Sequence, residues 1–208
     1  AAANGHASVV EMLVERFGAD VHANNDYALL CAADNGHAAV VEMLVERFGA
    51  DVHADDDAAL RWAAENGHAH VVEMLVERFG ADVHTDDDEA LHLAAENGHA
   101  HVVEMLVERF DADVHVDDDE ALRLAAIKGH APVVEMLVER FGADVHACND
   151  LALRWAAANG HASVVEMLVE RFGADVHAYN DTALRWAASG GHASVVAYLA
   201  ERRVASPA

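Results

Sequence analysis

Apolar residues recur along the chain at a spacing that predicts a short amphipathic helix. Val10, Leu13, Val14 and Phe17 lie three or four residues apart, so they form one apolar stripe, while Glu and Arg residues fill the opposite side. Gly18 follows the stripe and predicts that the helix ends there in a left-handed turn. We therefore expect a helix of about ten residues with one buried face.

A second stripe with smaller residues predicts a partner helix. Leu29, Ala32 and Ala33 share one face, on which the alanines allow a neighbouring helix to approach closely. Asp26 precedes this stripe, and we expect its carboxylate to cap the helix N-terminus. Asn35 is followed by a glycine, which predicts the end of the helix. The chain thus alternates between two kinds of short helix.

A Gly-His pair shows that the helix pair is repeated in register. The pair recurs every 31 residues, with its histidines at His6, His37, His68, His99, His130, His161 and His192. A fixed period of roughly 20 to 50 residues is typical of a stacked array. Helices this short are marginal alone, because helix nucleation is costly. The predicted fold class is therefore all-α, with about six to seven stacked helix–turn–helix units in one domain, 1–208. The predicted repeats are 1–23 (partial), 24–54, 55–85, 86–116, 117–147, 148–178 and 179–208.

The last repeat departs from the others. Arg203 stands where Phe17 and its equivalents stand in the other repeats, which predicts a C-terminal cap that faces water. Ser206 and Pro207 follow it and offer a Ser-Pro phosphorylation site.

The repeats resemble the ankyrin repeat. They carry Leu-x-x-Ala-Ala-x-x-Gly-His, and their Val-Val-x-x-Leu-Val and Gly-Ala-Asp-Val-His segments are close to the family's Val-Val-x-x-Leu-Leu and Gly-Ala-Asp-Val-Asn. The family's unit has about 33 residues, and the shorter unit found here is similar to that of ankyrin proteins from large DNA viruses. The resemblance implies an ankyrin-repeat solenoid with short β-turn fingers.

The same resemblance implies a non-catalytic scaffold or adaptor that holds a protein partner on the concave surface formed by the fingers and the first helices. Positions that vary between repeats on a constant frame can carry binding specificity. Neutral variation at exposed positions would give the same pattern and is an open alternative. The candidate partner-binding residues are Tyr27, Asp55, Asp56, Arg61, Glu65, Asp86, Asp87, Glu89, His92, Glu96, Asp117, Asp118, Glu120, Arg123, Ile127, Lys128, Arg154, Tyr179 and Arg185.

Charge narrows the class of partner. Asp and Glu number 37 against 13 Lys and Arg, for a net charge of −24. Such a chain is not expected to bind nucleic acid or anionic membrane surfaces. Between residues 51 and 120 the net charge is −18, and acidic runs such as Asp55-Asp56-Asp57 recur in successive fingers. We expect this field to steer a basic protein segment to the third and fourth repeats.

The 16 histidines do not predict a metal site. Equivalent histidines in stacked repeats lie about 10 Å apart, whereas metal ligands lie about 2 Å from the ion. The Gly-His histidines are predicted to be hydrogen-bonded structural groups. A metal- or pH-responsive His/Asp array is one alternative function, because full protonation of the histidines would change the net charge to −8.

The other residues add no catalytic chemistry. The chain contains no Gly-x-Ser-x-Gly, Gly-x-Gly-x-x-Gly or His-Glu-x-x-His motif, so neither enzymatic activity nor a cofactor is expected. Trp62, Trp155 and Trp186 share a column with Cys31 and leucines, and are predicted to fill the core. A structural spacer or designed-like repeat scaffold without a specific partner is a second alternative.

Cysteine use bears on the compartment. Cys31, expected to be buried, and Cys148, expected in a finger, are too few for a disulfide framework and favour a reducing compartment. The expected location is the cytoplasm, or the host cytoplasm if the protein is viral, and the expected state is a monomer.

Overall fold

The computed structural model describes residues 1–205, and its helix pairs confirm the predicted all-α class. A 3-10 turn at Ala2–Asn4 precedes helices that alternate between the two predicted kinds. The first helices of the repeats are α2 (Ala23–Asp34), α4 (Ala54–Glu65), α6 (Glu89–Glu96), α8 (Val116–Lys128), α10 (Ala147–Ala158) and α12 (Ala178–Gly190). The second helices are α1 (Ala7–Phe17), α3 (Ala38–Phe48), α5 (Ala69–Glu77), α7 (Ala100–Phe110), α9 (Ala131–Glu139), α11 (Ala162–Glu170) and α13 (Ala193–Ala205).

The described residues form neither strands nor membrane-spanning helices. Residues 1–205 contain no β-strand. None of the helices in this range combines the length and the apolar character needed to cross a membrane. The Ser206-Pro207 site lies outside the described residues.

The chain groups into two compact units. The first compact unit comprises Ala1–Ala94 with His101–Ala112, and the second comprises Ala95–Ala100 with the chain from Asp113 onward. In the first compact unit, helix α2 packs on α4 and helix α3 packs on α5. In the second, helix α10 packs on both α8 and α12, and helix α11 packs on α9 and α13. Each repeat therefore buries its apolar faces against the next repeat of the same unit.

Each compact unit has a core of leucines and alanines. Ala32 and Ala33 are fully buried, as the small-residue stripe predicts. The fully buried leucines of the first compact unit are Leu29, Leu44, Leu60, Leu75, Leu91 and Leu106, and those of the second include Leu122, Leu137, Leu153 and Leu168. Burying such a side chain contributes about 2 kcal/mol. Stacking thus supplies the stability that the isolated helices lack.

The prediction that the phenylalanines complete the buried stripe is wrong. Val41 and Leu44 of the second repeat are buried, but Phe48 is only half-buried. The guanidinium of Arg47 lies 5.4 Å from the Phe48 ring centroid, so the ring packs under its neighbour at the edge of the core. In the first repeat Phe17 is 71% exposed, because no other described helix pair packs on the N-terminal side of α1.

The second helices end as predicted in left-handed residues. Gly18 has a φ of 65°, and Asp111, which stands at the equivalent position of the fourth repeat, has a φ of 62°. The left-handed conformation is more costly for Asp111, since it has a Cβ atom.

The turns that lead into the first helices differ from the prediction. Three consecutive residues adopt left-handed conformations with φ between 51° and 62°, so the chain kinks just before the regular part of each first helix. The triplets are 24–26, 55–57, 86–88, 117–119, 148–150 and 179–181. Each left-handed residue costs about 1–2 kcal/mol except where a short Asn or Asp side chain reduces the cost by local hydrogen bonding. Short left-handed turns therefore take the place of the expected β-turn fingers.

Candidate partner-binding surface

Among the described residues, the Asp57 carboxylate does not make the predicted helix-cap bond. It instead accepts from His53 Nδ1 at 3.0 Å. The same oxygen accepts from the backbone N–H of Asp82 in the next repeat at 3.1 Å. Asp57 is buried, whereas His53 is exposed. The Asp57 carboxylate thus stabilises its own turn through His53 and bonds to the following repeat through the backbone of Asp82.

The pairing of histidine with aspartate recurs through the chain. The Nδ1–Oδ1 distances lie between 2.8 and 3.0 Å in the pairs His22–Asp26, His53–Asp57, His84–Asp88, His115–Asp119, His146–Asp150 and His177–Asp181. Each pair offers two ligands at most. Residues 1–205 hold no group of three or more His, Cys, Asp or Glu side chains that could bind a metal ion.

The Gly-His series contains hydrogen-bonded structural groups, as predicted, at His37, His68, His161 and His192. In the first compact unit, His68 Nε2 lies 3.0 Å from the carbonyl oxygen of Asp34 in the preceding repeat. In the second, His161 Nε2 lies 2.8 Å from the carbonyl oxygen of Ile127. The last carbonyl groups of a helix have no intrahelical hydrogen-bond donor, and these rings donate to two of them.

The acidic turns of the first compact unit are open to solvent. Asp55, Asp56, Asp86 and Asp87 are all exposed. Only Asp86 has a cationic partner, since its Oδ2 lies 3.2 Å from Arg61 Nη1. Arg61 also donates from Nη2 to the backbone carbonyl of Asp55 at 2.7 Å. The other three carboxylates make no ion pair within the part of the chain that the structure describes.

In the acidic turn of the second compact unit, the carboxylate with a cationic partner is that of Glu120. Asp117 and Asp118 are exposed, and Asp118 Oδ2 lies 3.6 Å from the Cys148 sulfur. Arg123 lies 3.5 Å from Glu120 and donates to the carbonyl of Asp117 at 2.6 Å. The arginine therefore acts on its own turn and is not free for a partner.

The remaining candidate residues on the first helices have different exposures. Tyr27, Lys128, Tyr179 and Arg185 are exposed. The half-buried candidates include Arg61, Glu65, Glu89, Glu96, Arg123 and Ile127. Lys128 Nζ lies 3.1 Å from Glu96 Oε1, so these two candidates neutralise each other.

Two candidates are buried, which corrects their expected place on the surface. His92 is 4% exposed, and its Nε2 has no hydrogen-bond partner among the described residues. Arg154 is 7% exposed, and its Nε likewise has none. Because both side chains are buried, neither can contact a partner without a local rearrangement.

The prediction that the tryptophans fill the core is wrong. Trp155 is 38% exposed, Trp62 and Trp186 are half-buried, and Cys31 in the same column is half-buried rather than buried. Trp155 and Trp186 stack with their centroids 5.2 Å apart and their planes tilted by 47°. The sequence could have predicted this exposure, because the column varies between Cys, Leu and Trp. A close-packed core does not accept these three residues at equivalent positions.

Several arginines of the second helices pair with glutamates of the preceding repeat. Arg47 lies 2.8 Å from Glu11 and 2.7 Å from Glu15, and the hydrogen bond to Glu11 is the main cause that raises the pKa of Arg47. Arg109 lies 2.7 Å from Glu73 and lowers the pKa of that carboxyl. These side chains are exposed, so solvent screens each pair and its contribution to stability is small. Because these charges of the second helices pair with one another, we look for a partner-binding surface on the first helices and the turns.

A comparison with protein families agrees with this architecture. The family model described as ankyrin repeats (3 copies) matches residues 1–87, 60–149 and 141–206. Among curated proteins, none matches the chain.

Proposed function

Because the chain belongs to the ankyrin-repeat family, whose repeats generally mediate protein–protein interaction, we propose that it is a non-catalytic scaffold for a basic protein segment. The proposed binding surface comprises the left-handed turns and first helices of the third and fourth repeats. The proposal includes a monomeric state and a cytoplasmic location. The two free cysteines support a reducing compartment.

The observation that carries the proposal is the lack of neutralisation in two successive turns. Asp55, Asp56 and Asp87 are exposed and make no ion pair within the described chain, whereas carboxylates of the second helices pair with arginines. Like charges held close together repel one another, and a basic partner removes that repulsion on binding. All of these residues belong to the first compact unit, so the surface does not depend on the second.

The experiment compares two charge-matched double variants in capture of a synthetic lysine- and arginine-rich peptide. The variant with Asp56→Asn and Asp87→Asn keeps the left-handed backbone, because asparagine tolerates positive φ. The control, with Glu166→Gln and Glu201→Gln, removes two exposed charges from second helices of the second compact unit. We expect the aspartate variant to bind about tenfold more weakly than the control at low salt. Equal capture by both variants would show that peptide binding depends only on net charge, and it would contradict the proposed site.

A spacer without a partner is the competing function. The same measurement decides it, because in a spacer the aspartate variant and the control variant capture the peptide equally. Binding that weakens with added salt to the same degree in wild type and both variants would favour the spacer.

The His–Asp pairs favour one further candidate, an array that responds to protons. The pairs hold adjacent repeats through the buried aspartates, as His53, Asp57 and Asp82 show. The test compares the melting temperatures of wild type and His53→Gln at a series of pH values, and a difference that depends on pH supports this function. A constant difference rules out this function.

A further inference from the structure

Arg154 is a buried cation that has no carboxylate partner. Its Nη2 donates to the carbonyl of Cys148 at 2.7 Å, and its Nε has no hydrogen-bond partner. Within the described residues no carboxylate oxygen lies within 4.0 Å of the guanidinium. A buried charge is costly unless it is paired. The positive charge of Arg154 is therefore not neutralised within the described residues.

Aromatic rings enclose this guanidinium. The Arg154 Cζ lies 5.1 Å from the ring centroid of Tyr179 and 5.7 Å from that of Trp186. Ring faces attract a cation, but they do not neutralise its charge. Tyr179 is itself 66% exposed, so the ring that covers the guanidinium on that side is in contact with solvent.

A second unneutralised guanidinium lies at the equivalent position of the next repeat. Arg185 is exposed and makes no ion pair within the described chain. Other cations of this compact unit differ, since each of Lys128, Arg171 and Arg203 lies within 3.1 Å of a carboxylate oxygen. Arg154 and Arg185 thus form a local excess of positive charge on a strongly acidic chain.

An apolar surface adjoins the two arginines along the chain. Trp155 follows Arg154, Trp186 follows Arg185, and the two indoles stack on each other. Leu124 precedes them by one repeat in the same column and is half-buried. Neither indole N–H donates to a described residue, so both can donate to a partner's carbonyl groups.

We propose that this surface binds a protein segment in which a carboxylate side chain stands next to an aromatic or large aliphatic residue. The carboxylate pairs with Arg185 and, after displacement of the Tyr179 ring, with Arg154. The neighbouring apolar side chain packs on the exposed face of Trp155. The site differs from the proposed basic-segment surface, because it lies in the other compact unit and takes the opposite charge.

The experiment titrates three capped peptides of identical length that alternate phenylalanine and leucine with aspartate, asparagine or lysine. The protein carries Trp62→Phe, so that all tryptophan fluorescence arises from Trp155 and Trp186. We expect the aspartate peptide to change the fluorescence and to bind at least about tenfold more tightly than the asparagine peptide. We expect no saturable change with the lysine peptide.

Two variants of equal charge locate the effect. Arg185→Gln is exposed and should fold, and we expect it to remove most of the preference for aspartate over asparagine. Arg171→Gln removes the same charge from the end of a second helix, where Arg171 pairs with Glu135 and Glu139, and we expect the preference to be retained. Arg154→Gln should act like Arg185→Gln, with circular dichroism to verify folding.

Several results would overturn the proposal. These are equal binding of the aspartate and asparagine peptides, equal losses in the Arg185 and Arg171 variants, or no saturation by the aspartate peptide below about 1 mM. If inorganic phosphate competed for the site as strongly as the peptide does, the arginines would be a site for a free anion. That result would also overturn the proposal.

Discussion

The Asp57 carboxylate accepts a hydrogen bond from the backbone N–H of Asp82, which lies 25 residues further along the chain, at 3.1 Å. Aspartate occupies the position of Asp57 in each of the left-handed triplets, and the equivalent bond from Asp175 to Asp150 measures 2.9 Å. This contact, together with the bond to His53, accounts for the aspartate better than a helix cap does.

The contact predicts an unequal response to two alanine substitutions in one turn. Asp57→Ala leaves the Asp82 N–H without an acceptor and His53 without a partner, so we expect a loss of about 2–3 kcal/mol in the free energy of unfolding. Asp56→Ala is the control, since Asp56 has a similar φ of 55° but is exposed, and we expect a loss of about 1 kcal/mol. Urea denaturation measures both. Equal losses would show that the carboxylate contact contributes nothing.

Two glycines with the same backbone conformation should differ in their tolerance of alanine. Gly36 and Gly49 have φ values of 71° and 73°, but a Cβ on Gly36 would lie 2.7 Å from His68 Nδ1, whereas a Cβ on Gly49 would meet nothing within 4 Å. We expect Gly49→Ala to cost about 1 kcal/mol and Gly36→Ala at least about 2 kcal/mol, because His68 must leave the carbonyl of Asp34. Urea denaturation of both variants measures the difference.

A double variant tests the cause of that difference. If the clash with the ring is responsible, Gly36→Ala combined with His68→Ala should cost less than the sum of the two single losses. Simple addition of the losses would refute the steric explanation.

Cys148 is poorly suited to its backbone conformation. It begins a left-handed triplet with a φ of 51°, where the four preceding repeats have Asn24, Asp55, Asp86 and Asp117. We expect Cys148→Asn to raise the free energy of unfolding by about 0.5 kcal/mol, since Asn tolerates this conformation better. Cys148→Val should lower it by about 1 kcal/mol or more, because branching at Cβ increases the clash. Urea denaturation under reducing conditions compares them, and stabilisation by valine would contradict the strain argument.

Tyr198 should ionise late in an alkaline titration. Burial, followed by its hydrogen bond to Glu170 at 2.8 Å, raises the pKa of Tyr198 from 10.0 to about 12. Because the folded-state pKa is the higher one, the stability from protonated Tyr198 is complete below pH 10 and is lost as the pH rises through about 12. The tyrosinate absorbance step near pH 12 should vanish in Tyr198→Phe and persist in Tyr179→Phe. Persistence of that step in Tyr198→Phe would assign it elsewhere.

Much of the fold could be predicted from the sequence because the same pattern is repeated in register. The buried Leu29, Ala32 and Ala33 follow from helical spacing, since a stripe on a short helix has only the neighbouring helix to cover it. The left-handed triplets could not be predicted, because Asp and Asn favour helix caps, ordinary turns and left-handed residues alike. Only the long-range bond to the next repeat distinguishes these possibilities, and local sequence does not encode it.

The candidate surface was predicted less well, for a similar reason. Exposure depends on how a helix face meets the next repeat, so Arg154 proved buried and Trp155 exposed although they are adjacent in sequence. Charge was easier to predict, because the carboxylates of Asp55 and Asp56 are too costly to bury unpaired.

The bond from each buried aspartate to the following repeat also bears on how such a chain can change length. A gain or loss of whole 31-residue segments restores the same donor to the same acceptor at the junction, as between Asp26 and Asp51 or between Asp150 and Asp175. An insertion of one or two residues between a partner pair moves the donor away. Addition of complete segments therefore preserves the contact between repeats, whereas a small insertion within a segment breaks it.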